Sequence, residues 1–337
     1  MSLNPKKINK MVDKKKCVVA FDTSNYTTSI AVCDIEGHIV ANLKAPLSVK
    51  SGERGLRQAD AVFAHTKNLP LLCRTLTDIL EGYDPIAVGV SKTPRNAEGS
   101  YMPCFLCGIA AAEAFAASRA LPIYTTSHQD GHVMAALYSC GFSEQLQKDR
   151  FLAFHVSGGT TEALLVTPNR SGSTEMDIQL VAQTRDINAG QAIDRVGVMI
   201  GLDFPCGPAL EKLAHECKVK IEQKHVSVED GCCNLSGIEN MAQKIYSSTE
   251  DPCATAAFVF DFIGRTLREM TLQLFSKYGK MPVLYAGGVM SNKIMRKTLC
   301  GAAEAYFAEP EFSADNAAGV ALIALKKAIL DISEDIK

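Results

Sequence analysis

The stretch SHQDGHVMAA sets two histidines, His128 and His132, at positions i and i+4. On a helix these positions share a face, so both imidazoles can turn toward one ion, and Ser127 in front of them suits a helix N-cap. Two unconnected surface histidines show the same spacing, and a third ligand is what would separate the readings. A zinc peptidase carries Glu directly after the first histidine as its base. Here Gln129 and then Asp130 follow, which argues against protease chemistry. Cys104 and Cys107 of CFLC have no second pair at ligand spacing and lie in an apolar helical stretch, so they read as small buried hydrophobes.

Four further places carry polar or glycine-rich chemistry. Ser157, Gly158 and Gly159 form either a tight β-turn or a nest of turn amides for phosphate oxygens. In DINAGQAIDRVGVMIGLDFPCGPALEKLA, Asp194 sits on a helix that runs into a turn at Pro205 to Pro208. It reads equally as an exposed helix carboxylate, and the turn as helix punctuation. VLYAGGVMSN puts two glycines between a buried strand and a helix, where backbone can approach a flat ligand. SADNAAGVALIALKKAI places Asp315 and Asn316 just before a long apolar helix, where an N-cap role explains either residue without a metal.

The elements that must position these residues repeat. CVVAFD, TSIAVCD and HIVANLK read as three strands, followed by helical periodicity from Leu56 to Leu80, a strand IAVGVS and an Ala-rich helix from Cys104. FLAFHVS, EALLVT and MDIQLVAQT restart the series, with helical segments and the strand VLYA after them. FDTSNYTTSIAV and HVSGGTTEALLV open the two halves alike, as strand, small polar turn, strand, which indicates a duplicated α/β architecture of mixed sheets with helices packed on them.

A chain of 337 residues with 47% hydrophobic content is long enough for two domains. The expected division is a basic arm over 1–16, an N-terminal lobe over 17–130 completed by a C-terminal helix at 316–337, and a second lobe over 131–315 with a helical insertion. A formal charge of −2 gives no global attraction to a polyanion, so nucleic acid would need a local basic patch such as Lys212, Lys218, Lys220 and Lys224. Twelve cysteines scattered through apolar segments behind no secretory leader suggest a reducing cytoplasm. No apolar run reaches the length of a membrane span.

Taken in order, FDTS, SHQDGHVMAA, VSGGTTE, NAGQAIDRVGVMIGLDFPCGPALEKLA, NLSGIEN, YAGGVMSN and SADNAAG resemble the TsaD family of tRNA threonylcarbamoyladenosine synthases across Cys17 to Leu330. The resemblance implies a two-lobed actin-like ATPase (ASKHA) fold with a ligand cleft between the lobes. It matches His128, His132 and Asp315 to the family's metal ligands, which suit iron or zinc. His155, Val156, Ser157, Gly158 and Gly159 match its ligand-binding turn, and Asp194, Gly207 and Asn292 match residues that hold ATP, AMP or threonylcarbamoyl-AMP. The implied reaction moves a threonylcarbamoyl group from its mixed anhydride with AMP to N6 of a tRNA adenosine beside the anticodon, with no covalent enzyme intermediate. A smaller actin-like paralogue and a small ATPase are the implied partners.

Several positions depart from that pattern. Tyr26, Thr27 and Thr28 stand where the family usually carries two acidic residues before a Thr. Thr160 replaces its histidine after SGG, and Glu162 a usual Gln. KTPRNAEGSYMP replaces a Gly-Pro-Gly turn, and Glu239 a basic residue. Two other classes therefore stand beside the family reaction. One is a non-catalytic paralogue serving as a scaffold; the other is a kinase-like ATP-using enzyme, which needs a base beside an acceptor hydroxyl and has no use for the histidine pair.

Overall fold

The computed structural model describes residues 14–24, 26–48, 56–141, 146, 149–168 and 176–335; most of the basic arm, 1–13, lies outside them. In chain order the first elements are β1 (Lys15–Asp22), β2 (Thr27–Asp34), β3 (Ile39–Pro46), α1 (Gln58–Ile79), β4 (Tyr83–Thr93), α2 (Phe105–Ala117), β5 (Ile123–Ser127) and α3 (His128–Ser139). There follow β6 (Phe151–Val156), β7 (Thr161–Pro168), β8 (Met176–Gln183), α4 (Ala189–Met199), α5 (Gly207–Glu216), β9 (Val228–Glu229), β10 (Cys232–Cys233), α6 (Gly237–Thr249) and α7 (Pro252–Tyr278). The last are β11 (Val283–Ala286), a 3-10 turn (Gly288–Ser291), α8 (Lys293–Cys300), β12 (Ala305–Phe307), α9 (Pro310–Ser313) and α10 (Ala318–Asp335). Two compact units result, the first holding the described residues up to Ala135 and from Asp315 onward, the second Ala136–Pro168 and Met176–Ala314.

In the first unit the strand order is β3-β2-β1-β4-β5, with β1, β2 and β3 antiparallel and β1, β4 and β5 parallel. Helices α1 and α2 lie on this sheet, and so does α10. Covered strands have no polar face to alternate with, which is why β1 and β2 read as continuous apolar runs: Cys17 to Phe21 and Ile30 to Cys33 are all buried. Edge strand β3 stays half-buried. β1 begins at Lys15, so Lys15 and Lys16 belong to a strand and not to the expected arm; Lys16 pairs with Asp84 across the parallel β1/β4 register. β5 has no counterpart in the sequence reading, because IYTTS is short and shows no alternation.

The second unit repeats the scheme as β12-β11-β6-β7-β8, with β6, β7 and β8 antiparallel and β6, β11 and β12 parallel. Its core forms around α7, started by Asp251, whose side chain accepts from the N–H groups of Cys253 and Ala254, with Pro252 at the first turn. Phe154, Tyr285 and Phe307 stack across the parallel strands, with centroids 5.1 and 5.3 Å apart. The buried Tyr285 hydroxyl is bonded to Thr271 Oγ1 at 2.8 Å. All twelve cysteines are free thiols, and Cys104 is buried, as a small hydrophobe should be.

One contact sets where the first unit's polar residues meet. A Cβ on Gly319, in the first turn of α10, would lie 1.9 Å from the Gly131 carbonyl oxygen and 2.8 Å from the Ala135 amide nitrogen of α3. Both obstacles are backbone, so no side-chain adjustment relieves them. Gly319→Ala should therefore destabilise the protein by about 1–3 kcal/mol, read as a lower urea midpoint, whereas Gly82→Ala, whose Cβ meets nothing nearer than 4.0 Å, should leave it within about 0.5 kcal/mol.

Candidate functional site

Three elements set the carboxylates and imidazoles of the first unit's site: the end of β1, helix α3 and the head of α10. Ser127 ends β5 and caps α3: its hydroxyl accepts from the Asp130 N–H at 3.1 Å and donates to Asp130 Oδ2 at 2.6 Å. The helix so started carries His128 and His132 on one face, with ring centroids 4.2 Å apart. At the head of α10 the two capping candidates divide the work. Asn316 Oδ1 accepts from the Ala318 N–H at 3.0 Å, while Asp315 turns to the histidines, with Oδ1 3.2 Å from His132 Nε2 and 3.6 Å from His128 Nε2. Asp315 thus stands within reach of both imidazoles, where a third ligand to the pair could come from.

The donor set fits a metal. Bonds of about 2.0–2.2 Å to imidazole nitrogen and carboxylate oxygen put two ligands of one tetrahedral ion roughly 3.3–3.5 Å apart, close to the two separations seen. All three ligand atoms lie within 4.8 Å of one another. Asp22, fully buried at the end of β1, stands behind His128 and meets Nδ1 through Oδ2 at 2.8 Å, leaving Nε2 toward Asp315. Asp22 is itself held by the Ser24 N–H at 2.8 Å. Burial opposes charge on His128, yet Asp22 and Asp315 outweigh it and raise the imidazole pKa to about 10. Burial likewise opposes ionisation of Asp315, and the two histidines nevertheless hold it well below the usual carboxylate range.

The other expected residues lie in the second unit. His155 and Val156 end β6, and Ser157 to Gly159 make the turn into β7. Two of the turn's amides are already engaged: Ser157 Oγ accepts from Gly159 at 3.2 Å and from Thr160 at 3.1 Å. The expected open nest is therefore partly closed by its own serine, and a phosphate oxygen would have to replace that hydroxyl as acceptor. The start of α4 packs on the turn, since a Cβ on Gly190 would sit 2.6 Å from Gly158 Cα, and one on Gly287 would sit 2.2 Å from the Val156 carbonyl oxygen.

Asp194, on α4, accepts the Cys206 N–H at 2.9 Å and so ties α4 to the start of α5, where Gly207 is the first residue. Burial raises the Asp194 pKa, opposed by that hydrogen bond. Asn292 caps α8 through Oδ1, which accepts from Met295 N–H at 2.9 Å, and its buried Nδ2 has no partner among the described residues. Packing requires glycine at Gly190 and Gly287 but not at Gly158, Gly159, Gly207 or Gly288, where a Cβ would meet nothing within 4 Å.

Sequence reasoning missed Asp22 and Asp186. Asp22 was quoted only as the end of a strand; the signal was a carboxylate closing an otherwise apolar run that has no water to face. Asp186 accepts N–H groups from Ile187 and Leu235 through Oδ1 and from Ser236 through Oδ2, at 2.7, 2.8 and 3.0 Å, pinning the NLSG segment to the start of α4. Burial opposes its ionisation, but these bonds lower its pKa to about 2. A depressed carboxylate contributes stability above its unfolded pKa and loses it as pH falls through the folded one. Asp186→Asn should thus be less stable than wild type by about 1 kcal/mol at pH 7, discounted for its exposure, with the difference shrinking between about pH 4 and pH 2 in urea titrations.

The family model for TsaD, tRNA N6-adenosine threonylcarbamoyltransferase, matches residues 59–322. A tRNA N6-adenosine threonylcarbamoyltransferase of Streptococcus pneumoniae strain CGSP14 is 30% identical over 302 residues, covering 85% of this chain and 84% of that protein. Among solved structures, T. kodakarensis HypF aligns with a TM-score of 0.57 at 12% identity, over 95% of this chain and 48% of that one. The activator of 2-hydroxyisocaproyl-CoA dehydratase from Clostridium difficile aligns at 0.50 and 13% identity, over 94% and 97%. These likenesses show the actin-like ATPase fold, with its two mixed sheets. Among the described residues no helix is long and apolar enough to cross a membrane. On the family match, the chain belongs to the TsaD family of tRNA N6-adenosine threonylcarbamoyltransferases, a family of transferases.

Proposed function

We propose that this chain transfers a threonylcarbamoyl group from threonylcarbamoyl-AMP to N6 of a tRNA adenosine adjacent to the anticodon, with one iron or zinc ion held by His128, His132 and Asp315. The observation that carries this reading is the convergence of two Nε2 atoms on one Asp315 oxygen, with Asp22 on the far nitrogen of His128. A bound ion would supply Lewis acidity toward a carbonyl oxygen of the acyl group. Asp22 accepts the His128 Nδ1 proton and so keeps Nε2 as the ligating atom. A kinase-like enzyme gives such a set no task.

The nucleotide part of the donor is assigned to the second unit: the turn His155, Val156, Ser157, Gly158 and Gly159, with Asp194, Gly207 and Asn292. Glycines that packing does not require, at Gly158, Gly159 and Gly207, together with the unpartnered Asn292 Nδ2, support contact with a ligand there. In the transfer, the adenosine amine forms a C–N bond to the carbamoyl carbon, the C–O bond to phosphate breaks, AMP leaves, and the amine gives up one proton. Exposed Lys212, Lys218 and Lys220 support a local contact with tRNA, whereas Lys224 is paired with Glu222. A smaller actin-like paralogue and a small ATPase complete the proposed assembly, in the cytoplasm.

The reading is tested with metal-loaded protein, its proposed partners, threonylcarbamoyl-AMP and unmodified tRNA. Wild type should modify the tRNA, and His132→Ala should lower the rate on the order of 100-fold or more. A fully loaded wild type that leaves tRNA unmodified would contradict the transferase reading, and phosphate passing from ATP to a small acceptor would indicate the kinase class.

A further inference from the structure

The loop from Lys92 to Pro103 is fastened at its start to the head of α3 and at its end to the turn that carries Asp22. The Pro94 carbonyl accepts from the Gln129 N–H at 3.0 Å. Asn96 Nδ2 donates at 2.5 Å to Asp130 Oδ2, the same buried carboxylate oxygen that takes the Ser127 hydroxyl proton. Just past the loop, the Thr23 hydroxyl, one residue after Asp22, donates to the Cys104 carbonyl at 2.9 Å and accepts from the Gly108 N–H at 2.9 Å. Phe105 then sets its ring edge-on to that of His128, with centroids 6.2 Å apart. Both ends of the loop are therefore held by residues next to His128 or Asp22 in sequence or in contact.

Between these fastenings the loop closes on itself. The Arg95 N–H donates to Ser100 Oγ at 3.1 Å, and the Ser100 N–H to the Ala97 carbonyl at 3.1 Å. Met102 packs on a small apolar cluster with Cys104 and Phe105. Tyr101 lies between the closed part and this cluster, and its side chain is 62% exposed. Three residues of chain span at most about 11 Å, so Tyr101 cannot stray far from the Cys104 carbonyl that Thr23 holds. A single exposed apolar residue is ordinary; the position and neighbours of this one are what distinguish it. Lys92 and Arg95 are exposed on the same loop, against one exposed acid, Glu98. An aromatic ring among basic side chains is the combination that holds a single nucleic-acid strand, the ring by stacking and the cations by phosphate contact. A base whose exocyclic amine is to react must leave its own stack, and the strand beside it then lacks a π-surface.

We propose that Tyr101 binds the acceptor RNA, its ring stacking on a base that flanks the target adenosine, with Lys92 and Arg95 on phosphates of the same strand. Asn96 and Thr23 hold the loop that presents the ring. The inference rests on the transferase reading for the identity of the acceptor, and it assigns a task to the segment KTPRNAEGSYMP that stands where the family has a Gly-Pro-Gly turn. An exposed ring contributes little to the fold, so its removal should leave stability unchanged.

The test measures, by fluorescence anisotropy, how an anticodon stem-loop RNA binds the metal-loaded protein with its proposed partners. Wild type is compared with Tyr101→Ala, Tyr101→Phe and Lys92→Ala, and the RNA is used intact and with an abasic nucleotide on either side of the target adenosine. Tyr101→Ala should weaken binding about 10-fold, and Tyr101→Phe, which still stacks, should stay within about threefold of wild type. One of the abasic RNAs should lose about 10-fold against wild type and nothing further against Tyr101→Ala. The dependence of affinity on salt should be unchanged in Tyr101→Ala and shallower in Lys92→Ala. Metal content, melting temperature and co-elution with the partners should match wild type in all variants. Unchanged RNA affinity in Tyr101→Ala, or equal losses from the abasic RNAs in both proteins, would overturn the inference. Loss of a partner from Tyr101→Ala would also overturn it and assign the ring to a protein interface. A fully metal-loaded wild type that binds RNA with this pattern yet transfers nothing would refute the transferase reading and leave the RNA contact standing.

Discussion

The first unit depends on the backbone-to-backbone approach of α10 to α3 at Gly319 and Gly131. Helices ordinarily keep their axes apart by the width of their side chains; here a glycine removes that spacing at one point. The close approach occurs between His128 and His132 in sequence, and a few residues after Asp315 on the opposing chain. Two histidines of one helix and an aspartate from a distant part of the sequence can therefore meet at a few ångströms.

Such a cluster carries an electrostatic cost that the surrounding residues offset. Asp22 is fully buried and Asp315 mostly so, and buried carboxylates hold their charge only with matched donors. Asp22 has the His128 ring and a backbone N–H; Asp315 has both rings. The second unit follows a different principle. Its polar residues, Asp186, Asp194 and Asn292, each hold backbone N–H groups, of Leu235, Cys206 and Met295 respectively.

Much of this was legible before the structure. Both opening hairpins read correctly because buried strands leave continuous apolar runs and their turns leave small polar residues. The duplicated sheet order followed from the repeat of that pattern. The histidine pair announced itself through helical spacing and a capping serine. Asp315 and Asn316 could not be told apart, since either side chain caps a helix, and only the direction of Asp315 toward His132 separates them. The amides of the Ser157 turn likewise seemed open from the sequence, whereas a hydroxyl two and three residues away already engages them.

The central claim, that α3 and α10 assemble a metal site, is tested most directly by X-ray absorption spectroscopy on the metal-loaded protein. The account requires a first shell containing two imidazole nitrogens and a carboxylate oxygen at about 2.0–2.2 Å, with one imidazole lost in His132→Ala and the carboxylate contribution lost in Asp315→Ala. A shell without imidazole, or one unchanged by both substitutions, would contradict it.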